Sequence, residues 1–291
     1  MHIPGLVFAL IAMLGWTFGD FLIQRATRVI GVWQCVFWIG LGGCVSLFPW
    51  ALRDIPPMLT SLSQLAIILT ASAIGALAAA SNFSAFRQGR LAIVQPILGM
   101  EIIFTALLGF IFFREALASW QLALMLLACV GLLLISLTHG WQTDWRKPGV
   151  ERGVAIGLVG AVLLAASNAM TGLASRTISP LTATWAIHTC IGFVALCVIV
   201  QRKELKALFP DLKKHAPRIL ALVILDNLAW LSFAFALAVL PIAVATTIGL
   251  GYVPLSCVLG VYLNHERLTK RQKIGIACLL VAIFSFGVGA G

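Results

Sequence analysis

The chain repeats itself at a fixed offset of 151 positions. Shifting the first half by that amount lays Arg25 on Arg176, Leu108-Gly109 on Leu259-Gly260, Glu115 on Glu266, Leu117 on Leu268 and Gln121 on Gln272, without a gap over nearly the whole half. Each copy holds five apolar segments of membrane length. They lie near 4–24, 31–51, 62–86, 91–113 and 117–138, then near 152–173, 180–200, 217–238, 243–263 and 270–290. An odd number of spans per copy makes the second copy thread the bilayer in the opposite direction from the first. Two inverted repeats around a midplane site are a recurrent transporter construction. The expected fold is an all-α integral membrane protein of ten transmembrane helices in two inverted-topology five-helix repeats, 1–138 and 152–291, joined by a linker at 139–151.

Composition supports a membrane class. Hydrophobic residues make up 61% of the chain and charged residues 10%, with a mean hydropathy of +1.03. A soluble domain carries roughly 25% charged residues. A helix needs about 20 apolar residues to cross the bilayer core. The alternation of a membrane barrel is absent, and in lipid that leaves helices. Segment 4–24 is too polar at its end, and too closely followed by further spans, to read as a cleaved signal peptide.

A net charge of +10 raises the question of nucleic acid, but the cations are scattered over short loops. The loops after spans 1, 3, 5, 7 and 9 hold Arg25 and Arg28; Arg87 and Arg90; Arg146, Lys147 and Arg152; Arg202, Lys203, Lys206, Lys213, Lys214 and Arg218; and Arg267, Lys270, Arg271 and Lys273. That is 17 of the 20 Lys and Arg, and only Arg53, Arg114 and Arg176 fall on the other side. The positive-inside rule then puts these loops in the cytoplasm and both termini outside. The seven cysteines all fall in spans with no C-x-x-C pair, so they read as small apolar packers rather than a disulfide or metal framework. No cofactor is expected.

Two longer polar stretches remain. Residues 139–151 carry His139-Gly140 and Lys147-Pro148-Gly149, which are helix-stop and turn signals. Residues 201–216 begin Gln201-Arg202-Lys203-Glu204-Leu205-Lys206, a cationic segment suited to anionic headgroups. Neither houses an ATPase, and no G-x-x-x-x-G-K-[ST] motif exists. Transport energy would come from ions, from substrate exchange or from a partner. Span 9 contains Gly249, Gly251 and Pro254, and its counterpart, span 4, contains Gln95-Pro96 and Gly99. Interruptions in matching spans point towards a binding site.

Three acids fall inside spans: Asp20, Glu101 and Asp226. An acid at a helix centre costs about 2.5–3.5 kcal/mol on insertion scales, so such residues face a cavity or a partner. Trp16 lies four before Asp20 and Trp230 four after Asp226, which places each pair on one helix face. An acid beside an indole ring suits an ammonium group through charge pairing and cation–π attraction. Asn82, Asn168 and Tyr252 add polar groups at depth, and Tyr252 stands opposite Glu101 in the repeat register. His188 reads as a hydrogen-bonded packing residue. Gly15-x-x-x-Gly19 and Gly153-x-x-x-Gly157 read as close-packing faces.

The segment from Arg90-Leu-Ala-Ile-Val-Gln-Pro96 through Phe113-Arg-Glu-Ala-Leu-Ala-Ser-Trp-Gln121, with its partner Tyr262-Leu-Asn-His-Glu-Arg-Leu-Thr-Lys-Arg-Gln272, resembles the EamA-type repeat of the drug/metabolite transporter superfamily. Gly15-Trp16-Thr17-Phe18 followed by Arg25 is similar to that family's first-span pattern. The resemblance implies a secondary carrier of small metabolites, often an exporter of amino acids, with a cavity lined by spans 1, 3, 4, 6, 8 and 9. The family's glycine before the loop glutamate is replaced by Arg114 and His265. The family habit of cytoplasmic termini also differs from the charge count, which we follow.

These observations predict an alternating-access carrier in a bacterial-type inner membrane. Its substrate site would comprise Trp16, Asp20, Asn82, Glu101, Asn168, Asp226, Trp230 and Tyr252, with Glu101 and Asp226 as proton-coupling candidates. The expected partners are a small amino-bearing substrate and the lipid bilayer, with no nucleic acid, and the protein would be a monomer or a homodimer. The competing expectation, a membrane-embedded enzyme acting on a lipid or prenyl substrate, would need an Asp-rich metal–phosphate motif or H-E-x-x-H, and the sequence has neither.

Overall fold

A computed structural model describes residues 3–89, 91–115, 117–140, 148–264 and 268–289. Arg90, the linker residues Trp141, Trp145, Arg146 and Lys147, and the second loop motif His265-Glu266-Arg267 lie outside the described residues. All regular structure among those described is helical: α1 (Ile3–Val29), α2 (Val32–Ala51), α3 (Ile55–Thr60), α4 (Leu62–Gln88), α5 (Leu91–Leu98), α6 (Glu101–Phe113), α7 (Ser119–Gly140), α8 (Pro148–Thr177), α9 (Pro180–Gln201), α10 (Leu208–Val239), α11 (Ile242–Gly249), α12 (Tyr252–Asn264) and α13 (Lys270–Gly289). Among the described residues, seven helical stretches are long and apolar enough to cross a membrane, one of them running Val94–Phe113 over the α5–α6 break, and shorter apolar helices add to them.

Helix ends follow the local sequence. Ser61 and Ser179 cap α4 and α9 by accepting the backbone N–H of Gln64 and Thr182, with Pro180 in the first turn of α9. The short α3 was not anticipated. It begins after Asp54 with Pro56-Pro57 in its first turn, and Asp54 Oδ2 accepts hydrogen bonds from Ser179 and Thr182, tying this loop to the start of α9. In α10, His215 leaves helical geometry at φ −123°, two residues before Pro217, whose ring cannot sit on a regular turn. The cationic stretch therefore becomes a one-turn 3-10 helix at Leu205–Ala207 and a surface start to α10, set off from the membrane part by a kink.

Both interrupted spans break at equivalent positions. The first divides at Gly99–Met100 and the second at Leu250–Gly251, pairs related by the 151 offset. Bonds of the 3-10 type, Met100 N–H to Ile97 O and Gly251 N–H to Ile248 O, carry the chain across each break. The residue that reopens each half-helix is Glu101 in one copy and Tyr252 in the other.

Tertiary packing follows the repeat. The most extensive helix pairs are α4 with α8, α1 with α10, α2 with α9 and α7 with α13. The offset converts α1 into α8 and α4 into α10, so the first two pairs are images of each other and the last two are their own images. Lipid provides no hydrophobic drive between helices, so close contact must come from small residues. At the α2–α9 crossing, a Cβ on Gly40 would fall 2.5 Å from Gly192 Cα, and at the α7–α13 crossing one on Gly131 would fall 2.7 Å from Gly275 O. Gly15 likewise faces Ala229 and the Leu225 carbonyl of α10.

Candidate functional site

The breaks aim both half-helices at one cavity. All eight residues singled out in the sequence line it: Trp16 and Asp20 from α1, Asn82 from α4, Glu101 at the head of α6, Asn168 from α8, Asp226 and Trp230 from α10, and Tyr252 at the head of α12. Both members of several equivalent pairs line it, as in Trp16/Ser167, Asp20/Thr171, Gly75/Asp226, Asn82/Phe233 and Glu101/Tyr252. The cavity encloses about 110 Å³. One water needs about 10–15 Å³ on that measure, so there is room for a compact metabolite.

Its electrostatic character is one-sided. Three acids line it and, among the described lining residues, no lysine or arginine does. An ion pair between Glu101 and an arginine would have made that acid structural, but its partner is Asn168, whose Nδ2 donates to Glu101 Oε2 at 2.9 Å. Gln95 Nε2 donates to Ser256 Oγ at 3.1 Å and, more weakly, to Asp20 Oδ2 at 3.4 Å. Asn227 Nδ2 donates to the carbonyls of Ile39 and Val223, which fixes Oδ1 as the atom facing His188 Nδ1 at 2.8 Å. His188 Nδ1 must then carry the proton, leaving Nε2 as an acceptor. In Gln95, Asn168 and Asn227 the amide donor is engaged by a neighbour. Asn168 Oδ1, Asn82 Oδ1 and Thr246 Oγ are buried without a hydrogen-bond partner. Asn82 Oδ1 packs against Gly160 of α8, so the lining offers a guest that brings hydrogens the charge of its acids and the unpaired oxygens of Asn168 and Thr246.

Aromatic rings form one side. Trp16 meets Phe233, Trp230 and Tyr252 edge-on with ring centroids 4.9, 5.4 and 6.3 Å apart, and Trp230 meets Phe233 at 6.1 Å. Such T-shaped contacts satisfy the ring quadrupoles and hold the indoles in place. Gly249, at the end of α11, lets the Trp16 ring approach to where a Cβ would stand 3.3 Å away.

Sequence reasoning missed Phe233, although it lies one helical turn from Trp230 on the same face. It noted Gln95 only for its proline neighbour and passed over Asn227 beside Asp226. His188 does pack through a hydrogen bond as expected, and it also lines the cavity. Ser167, Thr171 and Thr246 also reach the lining, whereas Thr247 bonds back to the Ala243 carbonyl.

One end of the bundle is tied by a polar corner. Arg176 on α8 lies 2.8 Å from Glu115 and donates to the carbonyls of Leu237 and Leu240 of α10. Glu115 Oε2 accepts the Ile242 N–H at the start of α11. At the position equivalent to Leu240, the Gly89 carbonyl accepts Gln24 and Arg28 instead, and Arg25 lies over the Phe21 ring.

Comparison with known proteins agrees with this architecture. No curated protein matches the sequence significantly. One solved crystal structure superposes with a TM-score of 0.74 over 98% of this chain and 96% of that one, at 13% identity, so the likeness is one of fold. The sequence model of the EamA-like transporter family matches twice, over residues 3–137 and 151–287. The chain is a multi-pass membrane protein that belongs to the EamA-like transporter family and carries two copies of its repeat.

Proposed function

We propose that this protein is a secondary active exporter of small amino-bearing metabolites, amino acids or compact organic cations, working by alternating access. The observation that carries the reading is the cavity lining: three carboxyl groups, buried unpaired acceptors and an aromatic cage, with no basic residue among those described. An ammonium group matches each of these features, through charge, hydrogen-bond donation and cation–π attraction. Coupling follows from charge balance. As the ammonium enters, Glu101 or Asp226 releases a proton, so substrate and proton exchange at one site.

In this reading the copies 1–138 and 152–291, linked by 139–151, form ten membrane spans of inverted topology that rock about the cavity. The broken helices at Gly99 and Gly251 are the points where the backbone adjusts. The protein sits in a bacterial-type inner membrane with both termini outside, supported by the 17-to-3 cation count. Arg176, one of the three cations on the outer side, is neutralised by Glu115.

Flux into proteoliposomes tests the reading. A panel of radiolabelled amino acids, polyamines and quaternary amines, run with and without a pH gradient, should give gradient-dependent movement of an amino-bearing compound. Uptake restricted to an anion or a neutral solute would overturn it.

A further inference from the structure

On the lipid-facing side, away from the central cavity, α2 and the start of α10 enclose an apolar groove. Leu41 and Val45 form one bank, and Leu212, Pro217, Leu220 and Val223 the other. Val45 is 66% exposed and Leu220 60%, so the groove opens to the bilayer. Beyond the kink, from Ala216 to Val223, it follows roughly 10 Å of helix, enough for part of one acyl chain. The kink at His215 sets its polar end. On the surface side of that kink lie Leu205 and Phe209, both exposed, among Lys206, Lys213 and Lys214, the pattern of a helix resting at the headgroup level.

That end is also held against α2. Gln34 Nε2 donates to Asp211 Oδ2 at 3.0 Å, and the Arg202 guanidinium lies 5.9 Å from the Trp33 ring centroid. Six cations fall between 202 and 218, against the acids Glu204 and Asp211, and Asp211 is the one taken up by Gln34. Lys213 and Lys214 are exposed and directly follow Leu212, the lining residue on the surface side of the kink, so positive charge lies close to the polar end of the groove.

We propose that this groove is a binding site for an anionic phospholipid. One acyl chain lies between α2 and α10, and the phosphate is held by Lys213, Lys214 and Arg218. Juxtamembrane cations are drawn to an anionic leaflet, an attraction that a zwitterionic headgroup of no net charge does not give.

Full-length protein purified in neutral detergent can be given phosphatidylglycerol or phosphatidylcholine of the same chains. Retained lipid is read by native mass spectrometry and stability by thermal shift. Phosphatidylglycerol should be retained at least tenfold over phosphatidylcholine and raise the unfolding midpoint, whereas glycerol phosphate alone should do neither. The triple variant Lys213→Gln, Lys214→Gln, Arg218→Gln should bind the two lipids equally, and Val45→Trp, which fills the groove, should lower retention of both. Equal retention by the parent, a preference that survives in the triple variant, or stabilisation by glycerol phosphate alone would each overturn the site. The parent comparison decides the matter even if a variant fails to fold.

Discussion

The cavity has two walls that the repeat makes equivalent in backbone and different in chemistry. One is built by α1, α10 and α12, the other by their counterparts α8, α4 and α6. Where the first places Trp16, Trp230 and Phe233, the second places Ser167, Ala79 and Asn82; where the first has Asp20 and Asp226, the second has Thr171 and Gly75. Only at the helix breaks does the second wall carry the charge, with Glu101 at the position equivalent to Tyr252. In the proposed alternating-access scheme, a shared backbone would allow both walls to adopt the same alternative arrangements. Divergent side chains give the site a grasping face and a compliant one. In this scheme the aromatic wall selects the substrate, and the amide wall, through Glu101, handles the proton.

The sharpest way to break this division is Glu101→Gln. The Gln Oε1 can keep accepting the Asn168 N–H, now 2.9 Å from Glu101 Oε2, so the fold should hold. A side chain that neither takes up nor releases a proton should reduce pH-driven uptake to background while substrate exchange continues. Proteoliposome flux with and without a gradient measures both. Unchanged gradient-driven uptake would remove Glu101 from the coupling step.

Next in size are changes to the aromatic wall. Asp226→Asn removes charge at constant shape, and Trp230→Leu removes the ring and keeps apolar bulk. A desolvated cation–π contact is worth about 2 kcal/mol, and 1.4 kcal/mol is about tenfold in affinity. Each variant should weaken an amino-bearing ligand about tenfold or more by calorimetry. Ser167→Ala, at the position equivalent to Trp16, should shift it by less than about threefold. Equal losses on both walls, or none on the aromatic one, would remove the distinction between them.

Much of this arrangement was legible in the sequence because it depends on local composition. Spans follow from apolar length, breaks from glycines and prolines in the matching spans 4 and 9, and site candidates from the insertion cost of acids at depth. What the sequence did not show depends on contact. Nothing in the spacing of Asn227 says that it bridges Ile39, Val223 and His188, because that network joins three helices far apart in the chain. The kink at His215 and the short α3 follow from prolines, but the residues they anchor, Gln34 and the Ser179–Thr182 turn, are chosen by packing. The loop glutamates stood out as a repeated motif, yet the partner of Glu115 was unreadable. Arg176 is one of three cations on its side of the membrane, and only the fold brings it to Glu115.

That corner is where the two walls are tied together, and it gives the mildest test. Arg176 stands in the last turn of α8 and Glu115 just after α6, on the amide wall, while the carbonyls of Leu237 and Leu240 mark the end of α10 and the Ile242 N–H the start of α11, on the aromatic side. Side-chain exposures of 27% for Arg176 and 13% for Glu115 leave the pair partly screened. The ionic part should therefore contribute about 1 kcal/mol or less, and the acceptor for the Ile242 N–H about 1 kcal/mol, as other helix caps do. Glu115→Gln keeps that acceptor and loses the charge; Glu115→Ala loses both. Unfolding midpoints in detergent should fall in the order parent, Gln, Ala, with the Ala variant a few degrees below the parent. A loosened corner should also raise exchange between the two arrangements, so substrate exchange in the Gln variant should be faster than in the parent. Identical midpoints for all three proteins would show that the walls are held together elsewhere, and that the corner contributes nothing to their relative motion.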